Sequence, residues 1–249
     1  MGDWLNLKVD GSAAWPNEET KITFGGCELV LLPATRKTEQ SAHVNLSKIS
    51  DEEAFTVVNR FLSILSWCDG VPMEVDDGVI CGRTWNPMPI SRDMNRSVGS
   101  CAFGYPFYRD IATDNKVTLA LALYREARTI NSIPYAFLGY YKILNIWWSD
   151  RTDRKSKMNE LVEGIRDILP KLTDRYVTGR INCLSQSEND IPRYLHDSCR
   201  CAVAHANVAP TVDPDNWSDI KRLAADLEII RAVAEHLIEE KGVSRSILG

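Results

Sequence analysis

The sequence contains no hydrophobic run long enough to cross a membrane. Its longer apolar stretches, such as residues 119–123, fall far short of the roughly 18 residues that a bilayer span requires. The N-terminus has neither a basic region followed by an apolar core nor a Ser or Thr at position 6, so no secretion signal and no myristoylation site is predicted. We therefore expect a cytoplasmic protein with no membrane partner.

The sequence also lacks the common motifs of nucleotide and hydrolase chemistry. It has no P-loop, no G-x-G-x-x-G, no G-x-S-x-G and no H-E-x-x-H. Its seven cysteines, an odd number over 249 residues, make a poor disulfide framework and are expected to be mostly buried thiols. The net charge of −5 argues against a surface that binds nucleic acid throughout. Residues 151–180 are locally basic, and a solvated helix face is preferred there over an RNA track.

The composition is that of a globular protein. Of the 249 residues, 44% are hydrophobic and 25% are charged, which excludes disordered, collagenous and fibrous classes. The length allows one large domain or two small ones, and a change of pattern near residue 110 favours two. We predict an α+β protein, with a strand-rich region containing one helix over residues 1–111 and a helical bundle over residues 112–249.

Short strand-like patterns dominate the first region. Polar and apolar residues alternate over residues 5–9, and Gly25-Gly26 separates two further apolar runs in a predicted hairpin. A helix that begins at a capping box on Ser50 follows. Asp76-Asp77-Gly78 predicts a second hairpin, and residues 86–109 are expected to be irregular.

From about residue 115 the apolar residues repeat at helical spacing. A first helix, a second that begins near Pro134 and a third that ends at Pro170 are predicted. A fourth helix runs from Asp190 to about Ala206, and Asn216 caps the last one. The apolar face expected for the first helix consists of Leu119, Ala122, Leu123, Ala127 and Ile130.

The fourth helix carries the most informative residues. At about 100° per residue, Arg200 and His205 lie about 140° apart, at the two edges of a polar face with the small Ala204 between them. A second helix would be able to approach closely there. The buried face is predicted to hold Ile191, Leu195, Cys199, Ala202 and Ala206, and the polar face Arg193, Asp197, Arg200, Cys201, Ala204 and His205.

Residues 200–205, RCAVAH, form an R-x4-H string late in this predicted bundle. The string resembles the R-x4–6-H signature of the HEPN superfamily, the higher eukaryotes and prokaryotes nucleotide-binding domains. Further segments are similar to those of MauJ-like and Apea-like HEPN proteins, namely residues 124–127, 132–135, 140–142, 201–206 and 212–216. The resemblance covers roughly residues 112–240 and leaves the N-terminal half unmatched.

The resemblance implies a HEPN-like helical bundle and a metal-independent endoribonuclease. In that family two copies of the motif meet across a homodimer, so that Arg200 and His205 of each chain would be catalytic, with RNA as the substrate and no cofactor or metal. A role as a toxin or in phage defence, and a regulatory protein partner of unknown identity, are further implications. The residues expected to contact RNA or to support the site are Arg193, Asp197, Cys201 and Asn207.

The chemistry explains why these residue types are needed. Cleaving RNA without a metal requires a base for the ribose 2′-hydroxyl, a cation for the phosphorane-like transition state and an acid for the leaving 5′-oxygen. A His titrates near neutral pH and serves as base or acid, and an Arg presents a permanently charged fork to phosphate oxygens. One chain supplies half of this set, and a dimer supplies all of it.

Two positions depart from the family pattern. Nucleases of this family commonly have Asn, Asp or His directly after the motif Arg, where this chain has Cys201, a weak hydrogen-bonding group. The toxin branch that is regulated by nucleotidylation has a Tyr two residues beyond the His, where this chain has Asn207. That mode of regulation is therefore not expected here.

Structural interpretations compete with this site. Arg200 is spaced to pair with Asp197, Arg193 is spaced for a surface ion pair with the same carboxylate, and the helix dipole would favour His205 near a helix C-terminus. A Cys201–His205 dyad is disfavoured because the thiol lies in mid-helix. A zinc site is also not expected, because an α-helix points its four nearby ligands in different directions, these being His196, Cys199, Cys201 and His205.

A second function remains open at this point. The polar helix would then form a non-catalytic HEPN-like interaction, RNA-binding or sensor module, in which Cys201 reflects lost catalysis. In the nuclease interpretation the strand-rich region would sense or select the RNA. Core packing is preferred over base stacking for most of the aromatic residues of the second helix, which are Tyr135, Phe137, Tyr140, Tyr141, Trp147 and Trp148.

Overall fold

The computed structural model describes residues 4–89, 114–148, 154–205 and 211–245. Over these ranges the chain forms one unit built around an antiparallel sheet and a second unit built of helices, which confirms the α+β class. The predicted domain boundary at residues 111 and 112 lies outside the described residues. Within the four ranges, no helix combines the length and the apolar character that a membrane crossing requires.

The N-terminal unit is a five-stranded antiparallel sheet with one helix. The strand order is β2-β3-β4-β1-β5, and every neighbouring pair is antiparallel. Helix α1 contacts β1, β4 and β5, and its apolar face completes the core. The elements are β1 (Trp4–Gly11), β2 (Thr20–Phe24), β3 (Cys27–Leu32), β4 (Ser41–Asn45), α1 (Asp51–Asp69) and β5 (Met73–Gly82).

Local sequence signals account for the first hairpin and for α1. Gly25 and Gly26 have φ values of 57° and 77°, the left-handed conformations that a two-residue hairpin turn requires. The Ser50 hydroxyl accepts from the Glu53 backbone N–H, and the Glu53 carboxylate accepts from the Ser50 N–H, so the predicted capping box is present. The helix ends at Gly70, which has φ 66°.

The predicted second hairpin is wrong, because β5 runs without interruption through residues 76–78. Leu7 pairs with Val79 and Val9 pairs with Val75. Residues 76–78 of β5 therefore lie opposite one residue of β1, Lys8. The sheet accommodates them as a bulge, and Lys8 Nζ lies 2.5 Å from Asp76 Oδ2. Strand β4 was not predicted, because its polar side chains interrupt the apolar pattern.

One of those polar side chains, His43, is completely buried in the sheet. Its Nδ1 donates to Asn6 Oδ1 at 2.6 Å, and its Nε2 lies 2.9 Å from Ser41 Oγ. Both ring nitrogens therefore have a neutral partner and no carboxylate. Burial lowers the pKa of His43 to about 4, because the charged ring would lose its hydration.

The second unit consists of helices packed around α3 and α8. Helix α3 contacts both α2 and α8, and α5 also packs on α8. The predicted caps are present at Asp190 and Asn216, whose side chains accept from backbone N–H groups of the first turn. The main elements are α2 (Asn115–Thr129), α3 (Ile133–Trp147), α4 (Arg154–Ile168), a 3-10 turn (Leu169–Lys171), α5 (Arg175–Leu184) and α8 (Trp217–Glu240).

Two helical features differ from the prediction. The face predicted for α2 is rotated, since Leu119 is 52% exposed whereas Tyr124 is buried and its hydroxyl donates to Glu235 Oε1 at 3.0 Å. A polar aromatic ring thus takes the place that the apolar pattern assigned to aliphatic residues. Helix α5 was not predicted, because it buries only Val177 and Leu184 and so shows no apolar stripe.

The buried His43 predicts a pH-dependent loss of stability. Between about pH 6.5 and pH 4 the unfolded chain binds a proton that the folded sheet excludes, so the contribution is complete above the unfolded pKa and is lost as the pH falls. Between pH 7 and pH 4 the free energy of unfolding of the wild type should fall by roughly 3 kcal/mol more than that of His43→Gln. Urea unfolding measures both. His236→Gln, at a half-buried position, is the control. Parallel pH profiles for wild type and His43→Gln would contradict this account.

Candidate functional site

The segment predicted as one α-helix is built of three pieces. Helix α6 (Ile191–Tyr194) leads into a π-helical segment (Leu195–Cys201), which continues as the short α7 (Ala202–Ala204). His205 then has φ −132° and ψ 106°, so it lies in extended backbone at the C-cap. The prediction of one uniform α-helix is therefore wrong in geometry, and the helix ends at Ala204 where about Ala206 was expected. Residues 206–210 lie outside the described residues.

The π-helical geometry changes which side chains are neighbours. Its backbone hydrogen bonds connect residues five apart, whereas an α-helix separates such residues by about 140°. Two pairs in this segment are spaced in this way. Tyr194 and Cys199 face inward towards α8, and His196 and Cys201 form a second pair. The inward face predicted from α-helical spacing is still correct at the buried residues Leu195, Cys199 and Ala202.

The inward pair meets a buried carboxylate on α8, Asp226, which is 0% exposed. The Tyr194 hydroxyl donates to Asp226 Oδ2 at 2.8 Å, and Cys199 Sγ donates to the same oxygen at 3.6 Å. Arg180 of α5 donates from Nε to Oδ1 at 2.8 Å, and its Nη2 lies 2.7 Å from that oxygen. Asp226 therefore joins α5, the π-helical segment and α8.

A second guanidinium closes this network. Arg222 lies one turn before Asp226 on α8, and its Nη1 donates to the Tyr194 hydroxyl at 2.9 Å. Its Nη2 donates to the carbonyl of Ser198, inside the π-helical segment, at 3.3 Å. Burial, followed by the charge of Asp226, raises the pKa of the Cys199 thiol to about 12. Cys199 is thus a protonated donor.

The outer face of the segment carries a separate polar cluster. His196 Nδ1 lies 2.7 Å from Asp197 Oδ1, and Cys201 Sγ lies 3.7 Å from the same ring nitrogen. Arg193 Nε donates to Asp197 Oδ2 at 2.6 Å, which is the predicted surface ion pair. Although partial burial acts in the opposite direction, the hydrogen bonds from His196 and Arg193 hold the pKa of Asp197 below its usual value.

The two motif side chains, Arg200 and His205, make few contacts within this cluster. Arg200 does not pair with Asp197, and its one hydrogen bond to a described residue runs from Nη1 to Cys201 Sγ at 3.6 Å. His205 is half-buried, and its ring makes no hydrogen bond within the described ranges. No described contact joins Arg200 to His205, and Asn207 lies outside the described residues.

Tyr141 of α3 lies behind the outer cluster. Its ring meets that of His196 edge-on, with the ring centroids 6.1 Å apart. The side chain is buried, as predicted for most of the α3 aromatic residues, but its hydroxyl has no hydrogen-bond partner among the described residues. Burial raises the pKa of Tyr141, and the groups that act on it next are Arg200 and Cys201. The Tyr141 ring therefore packs against the cluster at His196.

An open cleft of the helical unit lies elsewhere. It has a volume of about 500 Å³ and lies between the α2–α3 junction and α8, with Arg128, Tyr140 and Arg231 among its lining residues. None of the motif residues lines it. The cleft is therefore not part of the R-x4-H site.

Sequence reasoning missed Arg180, Arg222 and Asp226. One signal was present, because Asp226 falls between Leu223 and Ile230 on the apolar stripe of α8. A charged residue in register with a buried stripe requires a partner of opposite charge. The partners themselves are distant in sequence and show no spacing pattern.

Residues 120–239 match the family model described as Methylamine utilization protein MauJ. This region is MauJ-like. The match extends from the middle of α2 to the last turn of α8 and contains every residue of the Asp226 network and of the outer cluster. It confirms the resemblance suspected from the motif segments and supports a HEPN-like domain. No curated protein and no solved structure gives a significant match to this chain.

The Asp226 network predicts a large stability difference between two carboxylate variants of the MauJ-like region. Asp226→Ala leaves Arg180 and the Tyr194 hydroxyl without their buried acceptor, and it should lower the free energy of unfolding by about 3–5 kcal/mol. Glu163→Ala, which removes an exposed ion pair with Arg166, should cost at most about 1 kcal/mol. Urea unfolding followed by helical circular dichroism measures both, and equal losses would contradict the assignment.

Proposed function

We propose that the MauJ-like region is a metal-independent endoribonuclease of HEPN type that acts as a homodimer. Arg200 and His205 of each copy would together form one composite site. The observation that carries this proposal is that both side chains remain available. Neither makes an ion pair with a described carboxylate, and both are partly exposed at the end of one helical segment.

The available groups match the chemistry of metal-free RNA cleavage. One neutral His205 takes the proton of the ribose 2′-hydroxyl while the 2′-oxygen attacks the phosphorus. The His205 of the second copy, in its protonated form, gives a proton to the leaving 5′-oxygen. The products are a 2′,3′-cyclic phosphate and a 5′-hydroxyl. The two Arg200 guanidinium groups stabilise the added negative charge on the phosphoryl oxygens.

The surroundings of Arg200 supply a positioning contact. Cys201 replaces the polar residue that is common after the motif Arg, yet its Sγ accepts from Arg200 Nη1 at 3.6 Å. This is one weak bond, so most of the donors of the guanidinium fork have no partner among the described residues and can bind phosphate. Arg193 is exposed nearby and adds a second cation, whose charge is partly neutralised by Asp197.

The weak contact between Arg200 and Cys201 favours one alternative function. A thiol orients Arg200 less firmly than an amide or a carboxylate would, and this suits a non-catalytic HEPN-like interaction, RNA-binding or sensor module. Such a module would retain RNA binding through Arg193 and Arg200 but would not cleave. Activity therefore separates the two functions, whereas RNA binding does not.

The test is RNA cleavage in EDTA by wild type, Arg200→Ala and His205→Ala. Loss of the general base and acid should lower the rate by about 100-fold or more, and His236→Ala, a half-buried His of α8, should cleave like wild type. Cleavage at the same rate by wild type and His205→Ala would contradict the proposal, as would a wild type that is inert.

Sedimentation of the same samples tests the composite site. The wild type should have the mass of two 28.1 kDa chains, and both active-site variants should keep it. Active wild type that is monomeric with and without RNA would show that one chain suffices and would contradict the shared site.

A further inference from the structure

Three different ligand atoms converge on the outer face of the π-helical segment. A ring nitrogen of His196, a carboxylate oxygen of Asp197 and Sγ of Cys201 all lie within 4.8 Å of one another. All three side chains are partly exposed, so an ion can reach them from solvent. His196 and Cys201 meet because the segment is π-helical, since α-helical geometry would direct them about 140° apart.

The distance between the His196 and Cys201 ligand atoms suits a tetrahedral ion. Typical zinc bonds place a nitrogen and a sulfur ligand about 3.6 Å apart at a tetrahedral angle. His196 Nδ1 and Cys201 Sγ are 3.7 Å apart. Asp197 Oδ1 is closer to the ring, at 2.7 Å, because it is hydrogen-bonded there, and a bound ion would require about 3.4 Å. Binding would therefore require a rotation of the Asp197 side chain, which is 45% exposed.

An independent observation points to a ligand at this place. The Tyr141 ring packs against His196 of the cluster, and its buried hydroxyl has no hydrogen-bond partner within the described ranges. Leaving a buried hydroxyl unpaired is unfavourable, because the group loses its hydrogen bonds to water. A water held by an ion at the cluster would provide the missing partner.

The outer contacts also suit a metal site. Arg193 holds the second oxygen of Asp197, and Arg200 donates to Cys201 Sγ, so both anionic ligands have an orienting donor. One sulfur, one imidazole nitrogen and one carboxylate oxygen form a donor set that favours zinc over magnesium or calcium. Three protein ligands leave the fourth position to water.

We propose that His196, Asp197 and Cys201 form a zinc site with one open coordination position. The site goes beyond the proposed nuclease activity, which needs no metal and is assayed in EDTA. It also replaces the ligand set considered from the sequence, because Cys199 faces Asp226 and is withdrawn from the outer face. Binding can be measured without RNA, so failure of one proposal leaves the other standing.

Cobalt(II) is the spectroscopic probe, and zinc competition gives the affinity. The metal-free full-length wild type should bind one cobalt ion with a thiolate-to-metal charge-transfer band, which zinc abolishes. Cys201→Ser should remove the band. His196→Gln and Asp197→Asn should each weaken zinc binding at least tenfold, since even the loss of an outer-sphere partner costs about 10–100-fold.

Cys183→Ser is the matched control, because Cys183 is an exposed thiol in the same unit. It should keep the band and the affinity. Circular dichroism of each metal-free variant establishes that the helices are intact. A wild type without a charge-transfer band, a band that persists in Cys201→Ser, or a band lost in Cys183→Ser would overturn the proposal.

Discussion

The buried carboxylate of Asp226 is the constraint on which the helical site depends. Burial of a charge without compensation is too costly to be tolerated, so the chain must bring donors to it from several elements. Arg180 donates to it from α5. Tyr194 and Cys199 donate to it from positions five residues apart, which is one π-helical turn. An α-helix would not direct both of the latter at one oxygen, so the π-helical geometry and the buried network support each other.

The same turn sets the chemistry of the outer face. Residues five apart become neighbours there, so His196 meets Cys201, while Arg200 at the end of the segment is held by a single thiol contact. The MauJ-like match covers this whole arrangement. Arg200 and His205 lie near this network and remain accessible to a phosphate or to a second copy. This accessibility is the basis of the proposed activity.

Features set by local physics could be predicted from the sequence. The turn at Gly25-Gly26, the capping box at Ser50 and the stripe of α8 each depend on residues a few positions apart, and all three are present. Features set by distant partners could not. Strand β4 buries the His43 ring, whose Nδ1 bonds to the distant Asn6, and the π-helical turn is joined to a carboxylate about 30 residues away. Arg200 and His205 could be identified from the sequence. Their predicted positions around an α-helix were wrong, because the segment is π-helical and His205 lies in extended backbone.

The backbone of the π-helical segment offers the most direct test of the central claim. Scalar couplings across hydrogen bonds, measured by NMR on the deuterated wild type, identify which carbonyl each amide contacts. In the second half of the segment Leu195–Cys201 they should connect amide nitrogens to carbonyl carbons five residues earlier. Couplings to carbonyls four residues earlier throughout the segment would show an ordinary α-helix. His196 and Cys201 would then be apart, and the account of the site would be contradicted.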